Sequence, residues 1–284
     1  MNSITTGDLA DVKNFNPLVR GMDVIIHLAA KVHVNSQSPN DDAAYANANT
    51  YVTERIATAA ATAKITKFIF LSTVKVYGEK SEIQNRLTEK TLPNPIGPYS
   101  HSKYAAEQAV TSIATNAELP WTILRIPLVY GPGVRANFHS LIRLCDSLTV
   151  NPLAGITENR RSLLFIENLT DGIEAIVKKN TKEFGLYLLS DGEDVSTAEL
   201  VRRLKKSLNR RQISLPVPKT AIRLLASVVG RKEAAERLCN SLSLDSSLFN
   251  EKFEWTPPYS VDQGIAATTA WYRTTSKNQN ATSF

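Results

Sequence analysis

Two hydrophobic spacings alternate along the first half of the chain. The runs Asp23-Val24-Ile25-Ile26-His27-Leu28-Ala29-Ala30, Lys67-Phe68-Ile69-Phe70-Leu71 and Trp121-Thr122-Ile123-Leu124-Arg125-Ile126 are almost unbroken in apolar, β-favouring residues. Continuous rather than alternating hydrophobicity is the pattern of a parallel strand covered on both faces. Between these runs, Tyr45 to Ala63 is rich in alanine and reads as a helix. A second helix is predicted from Tyr99 to about Thr115, because the Pro/Gly-rich stretch Leu92 to Pro98 ends just before it. Pro127 stops the third run. Strand and helix patterns that alternate in this way predict an α/β fold with a doubly wound parallel sheet.

The second half is less regular. Arg160 to Ile166 reads as a strand running into a helix that ends near Lys178, and Tyr187 to Ser190 as a short strand. Ser196-Thr197-Ala198-Glu199 has the form of a capped helix start. A charged helix is expected from Arg231 to Leu238, and a frayed polar tail after Lys277. The chain has no internal repeat.

Composition narrows the picture only in places. With 284 residues and 43% apolar content, the chain can bury one substantial core or one large domain with a small lobe. The formal charge of +6 suits an anionic ligand. Arg202, Arg203, Lys205, Lys206, Arg210 and Arg211 lack interleaved aromatics, so they read as one solvated helix face and no nucleic acid partner is expected. Cys145 and Cys239 lie far apart without metal-ligand spacing, which fits a reducing cytoplasm with neither disulfide nor metal. The apolar run Leu224 to Val229 is far shorter than the about 20 residues a membrane span needs, so no membrane insertion is expected. His27 is expected to pack in the core.

The candidate chemistry lies between Leu71 and Lys103. The second apolar run ends in two hydroxyls, Ser72 and Thr73, and Tyr99 and Lys103 share one helix face four residues apart. An ammonium beside a phenol favours the phenolate, so Lys103 is expected to lower the pKa of Tyr99 from about 10. A tyrosine tuned in this way exchanges a proton with an alcohol or ketone near neutral pH.

The order of strand, Ser72-Thr73, Val76-Tyr77-Gly78, a proline-containing loop and Tyr99-x-x-x-Lys103 resembles the extended short-chain dehydrogenase/reductase family, specifically its nucleotide-sugar epimerases, dehydratases and 4-keto-reductases. The similarity extends from about Gly7 to Trp271-Tyr272 and includes the Trp255-Thr256-Pro257-Pro258 turn. It implies a Rossmann-like domain over residues 1–130 and a smaller α/β substrate lobe over residues 131–284, with segments of the latter returning to the first domain. Thr73, Tyr99 and Lys103 are then catalytic: Tyr99 as acid/base, Lys103 as holder of the cofactor ribose, and Thr73 as the hydroxyl that orients the sugar oxygen. Ser72 has a weaker claim to that place.

The resemblance also implies NAD or NADP as cofactor, held by Asp8, Leu9, Leu28, Ala29, Ala30, Asn49, Tyr99, Lys103 and Pro127. Thr73, Asn137, Arg161 and Arg237 would hold a nucleotide-diphosphate sugar, a UDP-sugar in particular, although a surface ion pair accounts for Arg237 equally well. Where the family's 4,6-dehydratases follow the threonine with an Asp-Glu pair, this chain has Val74 and Lys75, so elimination lacks its acid and base. What remains is 4-epimerisation or reduction of a 4-keto sugar.

The family's Gly-rich turn is missing near Met1, and the sequence looks as if it starts about 55 residues late relative to the usual dinucleotide fold. The chain expressed alone is therefore expected to be poorly folded or aggregation-prone and to bind NAD(P) weakly, and the alternative function is an inactive member acting as a binding or interaction protein. Alanine-rich helices from Tyr45 and Tyr99 are expected to pair two copies into a homodimer.

Overall fold

The computed structural model describes residues 4–32, 41–179, 184–228, 230 and 232–281. The chain runs through a one-turn helix α1 (Asn16–Val19), strand β1 (Val24–His27), helix α2 (Asp41–Tyr45), a π-helical turn (Ala46–Tyr51) and helix α3 (Val52–Thr62). Strand β2 (Lys67–Thr73), helix α4 (Pro98–Asn116) and strand β3 (Trp121–Ile126) follow. Next come β4 (Leu128–Tyr130), α5 (Ala136–Ser147), β5 (Val150–Asn151), β6 (Arg161–Phe165), α6 (Ile166–Lys178) and β7 (Phe184–Leu188). The remainder contains β8 (Asp194–Val195), α7 (Thr197–Ser207), β9 (Ile213–Ser214), α8 (Lys219–Val228), α9 (Lys232–Cys239), α10 (Ser247–Phe253) and α11 (Val261–Ala281). The strand expected over 187–190 lies three residues earlier at its start, because Phe184 pairs with Trp121.

Two compact units emerge. The first contains residues 1–78, 89–126 and 176–188. Its sheet has the order β1-β2-β3-β7 and every pairing is parallel. Phe68, Ile69 and Phe70 of β2 are fully buried, as the continuous apolar run requires. The core gathers Val52, Ile56, Ala57 and Ala60 of α3 with Ala106, Val110 and Ala114 of α4 around Phe68, Phe70 and Ile123. These small alanine side chains let α3 and α4 approach each other and the sheet closely. In a parallel sheet all strands end on one edge, which puts Leu28 to Ala30, Thr73 and the end of β3 along the same side.

The second unit contains residues 79–88, 127–175 and 189–284. Parallel β4 and β6, antiparallel β6 and β8, and the short parallel pair β5 and β9 are its strands. Tyr130, Phe138, Ile142, Phe165, Leu204 and Ile265 belong to its core. Ser196 caps α7 through Glu199 N, as the motif predicts. The basic stretch departs from expectation at Lys205, which is 2% exposed and donates to the carbonyls of Leu148 and Thr149, just past the end of α5. The basic residues are thus not one solvated face. A lysine with its charge satisfied by helix-end carbonyls can be buried at modest cost.

Candidate active site

Gly97, at φ 81°, and Pro98 at the first position start α4 abruptly, and the first full turn presents Tyr99. Lys103 follows on the same face, 2% exposed, with Nζ 2.6 Å from the Leu71 carbonyl and 4.0 Å from the centre of the Phe70 ring. Thr73, 8% exposed, ends β2, and its hydroxyl accepts from Lys75 N at 3.3 Å and acts on the Tyr99 phenol. The structure therefore brings Thr73, Tyr99 and Lys103 together at the carboxyl edge of the sheet, as their spacing implied.

The electrostatics differ from the expectation. Burial pushes the Tyr99 phenol up to about 12, the Thr73 hydrogen bond pulls it back only partly, and Tyr45 adds to the rise. Lys103 does not lower it. Burial instead pulls Lys103 itself down to about 7, against the opposing field of Glu107. The reason is that the ammonium is turned to the Leu71 carbonyl inside the core, where loss of water penalises both charged forms. His27 is a core histidine: it stacks on Phe70 at 5.6 Å, its Nε2 lies 2.9 Å from Thr53 Oγ1, and burial together with Lys103 pulls it down to about 4.

Sequence reasoning passed over a buried network beneath these residues. Glu107, one turn beyond Lys103, receives the Ser72 hydroxyl and a forked Arg125 guanidinium, with Nη2 to Oε2 at 2.5 Å and Nε to Oε1 at 3.0 Å. Arg125 also lies 4.5 Å from the Tyr77 ring centre. The signal was present: an arginine within the third apolar run, and a glutamate on the same helix face as Tyr99 and Lys103.

Of the residues assigned to a cofactor, Leu28 (53% exposed) and Ala29 lie open at the carboxyl edge beyond β1, and Ala30 is half-buried. Asp8 caps a 3-10 turn that contains Leu9, accepting from Ala10 N at 2.9 Å. Pro127 is buried directly after β3. Asn49 is 1% exposed. Its amide holds Lys31 N at 2.7 Å, Lys31 O at 3.0 Å and Ser102 Oγ at 3.0 Å, so it braces the loop after β1 against α4 rather than facing outward. A π-helical turn surrounds it, a feature frequent near functional sites. Small open residues beside a buried lysine with a hydroxyl pair suit the nicotinamide-ribose part of a dinucleotide.

In the second unit, Arg161 donates through Nη1 to the carbonyls of Arg237 (2.5 Å) and Asn240 (3.2 Å), and burial pulls its guanidinium down to about 10. Arg237 is thereby beside it, with its own side chain on Glu233 at 3.1 Å. Asn137 is exposed in the first turn of α5. Cys145 and Cys239 are buried free thiols. Among the described residues no metal cluster occurs, and no helix is long and apolar enough to cross a membrane.

A parallel sheet with a threonine, a tyrosine and a lysine at its carboxyl edge defines a short-chain dehydrogenase/reductase type of oxidoreductase site. The pattern of the NAD dependent epimerase/dehydratase family matches residues 2–188. The chain is 34% identical to a UDP-glucose 4-epimerase from Vibrio cholerae, over 92% of this chain and 80% of the relative. It is 24% identical to an N-acetyl-alpha-D-glucosaminyl-diphospho-ditrans,octacis-undecaprenol 4-epimerase from Escherichia coli, over 92% and 81% of the two chains. The fold matches the crystal structure of a UDP-glucuronic acid 4-epimerase from Bacillus cereus in complex with NAD, with a TM-score of 0.74, 24% identity, and 95% and 80% of the two chains covered. The chain belongs to the NAD dependent epimerase/dehydratase family.

Proposed function

We propose that this protein acts at C4 of a UDP-sugar, as a 4-epimerase or a 4-keto-reductase with NAD or NADP. The observation that carries the reading is Thr73 at the end of β2 beside Tyr99 and Lys103 of α4, with no carboxylate following the threonine. Val74 is 2% exposed and Lys75 half-buried, so the positions that would serve elimination hold no acid or base pair.

In this reading the Tyr99 hydroxyl exchanges a proton with the C4 oxygen, and the Thr73 hydroxyl orients that oxygen. Burial holds Tyr99 protonated before the substrate binds, which suits it to donate to a developing alkoxide in ketone reduction. In the oxidising direction, a cation brought near the phenol must lower its pKa, and Lys103 is the available ammonium. The nicotinamide, when bound, supplies or accepts the hydride. Leu28, Ala29 and Ala30 would lie along it. Arg161, Arg237 and Asn137 would hold the diphosphate and its sugar. The cytoplasm is the expected setting, and α3 and α4 the expected contact of a homodimer, which light scattering at micromolar concentration tests by returning a dimer mass.

The deciding assay incubates the protein with UDP-glucose, UDP-N-acetylglucosamine or a 4-keto-6-deoxy sugar nucleotide, with and without NADH or NADPH. Epimer formation without net loss of reductant identifies the epimerase. Turnover of the keto sugar only with added reductant identifies the reductase. No turnover of any nucleotide sugar overturns both and leaves a binding protein.

A further inference from the structure

Four residues line one face of α4 at helical spacing: Tyr99, Ser102, Lys103 and Glu107. The first and third are accounted for above. Glu107 is 3% exposed and its carboxylate is held by two side chains, Ser72 and Arg125. Ser72 donates to Oε1, Arg125 donates to both oxygens, and Lys103 lies four residues back on the same face, the spacing at which helix side chains meet. Ser72 sits between Leu71, whose carbonyl receives Lys103 Nζ, and Thr73, whose hydroxyl accepts from Lys75 N. Two consecutive residues at the end of β2, Leu71 and Ser72, are therefore tied to α4 at Lys103 and Glu107.

We propose that Glu107 is the positioning residue of this site: through Ser72 and Arg125 it holds the ends of β2 and β3 against α4, and with them the strand end on which Lys103 rests. This rests on the oxidoreductase reading above. Packing alone would be served by apolar residues here, because a buried ion pair is seldom better for stability than a well-packed hydrophobic replacement. The charged groups near Lys103 support a specific electrostatic role. From β1 comes His27, which burial keeps neutral above about pH 4. From β2 come only a carbonyl and a ring, and Arg125 of β3 faces Glu107. Tyr99 lies on α4 itself, with Tyr45 of α2 beyond it at 6.2 Å and Tyr77 against Arg125. Among the groups acting on Lys103, Glu107 is the one whose field favours the ammonium, and it does so against the burial that pulls the amine down to about 7.

The test is a titration of the Lys103 amine by NMR of the lysine side-chain carbons, in the full chain without added nucleotide, with Lys103→Met to assign the signal. Glu107→Gln should move that titration down by on the order of one pH unit, the effect of a unit charge at helix-neighbour distance. Because Glu107→Gln leaves Arg125 buried without its partner, a second variant, Glu107→Gln with Arg125→Met, removes both charges and keeps the volume. It should melt within a few degrees of the parent and still show the lowered amine titration. Its kcat should fall about tenfold with a smaller change in KM, as expected when reacting groups lose alignment. A double variant with the parental lysine titration and parental kcat overturns the inference and leaves Glu107 a packing residue. If the parent turns over no nucleotide sugar while the amine titration still shifts, the functional reading fails and the Lys103 linkage stands.

Discussion

The first unit buries a lysine, a glutamate, an arginine and a histidine in its sheet-and-helix core: Lys103 at 2%, Glu107 and Arg125 at 3%, and His27 at 5% exposure. The second unit keeps most of its ion pairs in water, as with Arg202 and Glu199 at 55% and 31%, or Arg237 and Glu233 at 33% and 78%. Its deepest arginine, Arg161, bonds backbone carbonyls instead of a carboxylate. The contrast separates two tasks. Proton transfer needs groups whose charge state is set by a dry environment, and the first unit provides them. On the function proposed above, holding a diphosphate would need permanent cations, and Arg161 and Arg237 of the second unit are those proposed for it.

The largest expected effect comes from the centre of the first unit. Tyr99→Phe removes the proton carrier while keeping the ring, so kcat should fall about a thousandfold, within the span general acid–base catalysis contributes. Circular dichroism should show an unchanged fold. A loss below tenfold would move the acid/base role away from Tyr99.

Next in size is the ion pair. Arg125→Ala leaves Glu107 buried and unpaired, and should cost about 3–5 kcal/mol in urea unfolding. Arg237→Ala breaks an exposed pair in the second unit and should cost less than about 1 kcal/mol. Equal costs would erase the difference between the two units. Turnover supplies a further contrast, because Arg237→Ala should raise KM for a UDP-sugar and leave kcat nearly unchanged.

A smaller, pH-dependent effect belongs to His27. Its pKa is depressed from 6.5 in the unfolded chain to about 4 in the folded one. Between those values the unfolded chain binds the extra proton, so stability is full above pH 6.5 and is lost as pH falls toward 4. At 1.36 kcal/mol per unit, the loss is about 3 kcal/mol. His27→Leu should flatten that part of the stability profile, and Thr53 keeps a partner in that variant because its hydroxyl also bonds the Asn49 carbonyl. A profile with the same slope in both proteins would place the acid sensitivity elsewhere.

Much of this was legible in the chain. Unbroken apolar runs located all three parallel strands of the first half, and Pro98 after Gly97 marked the start of α4 within one residue. Fourfold spacing put Tyr99 and Lys103 on one face before any coordinates. Other features were not legible because nothing local encodes them. The π-helical turn around Asn49 carries no glycine or proline to announce it, and the burial of Lys205 depends on the carbonyls of residues 148 and 149, more than 50 positions away. Ser72 read as the weaker neighbour of Thr73 because its partner, Glu107, lies 35 residues further on.

By itself, the sequence determined the order of strands and helices in the first half, the placing of Tyr99 and Lys103 on one helix face and of Thr73 at a strand end, and the lack of an acid pair after Thr73. These follow from periodicity, capping and residue type, which act over a few positions. Only the tertiary structure decided the charge states. It turned Lys103 toward the Leu71 carbonyl and placed Glu107 and Arg125 together in the core. It also raised the Tyr99 phenol where spacing alone predicted a lowered one. The physical reason is that a pKa depends on the water a group loses and the charges brought near it, and both are set by segments far apart in the chain.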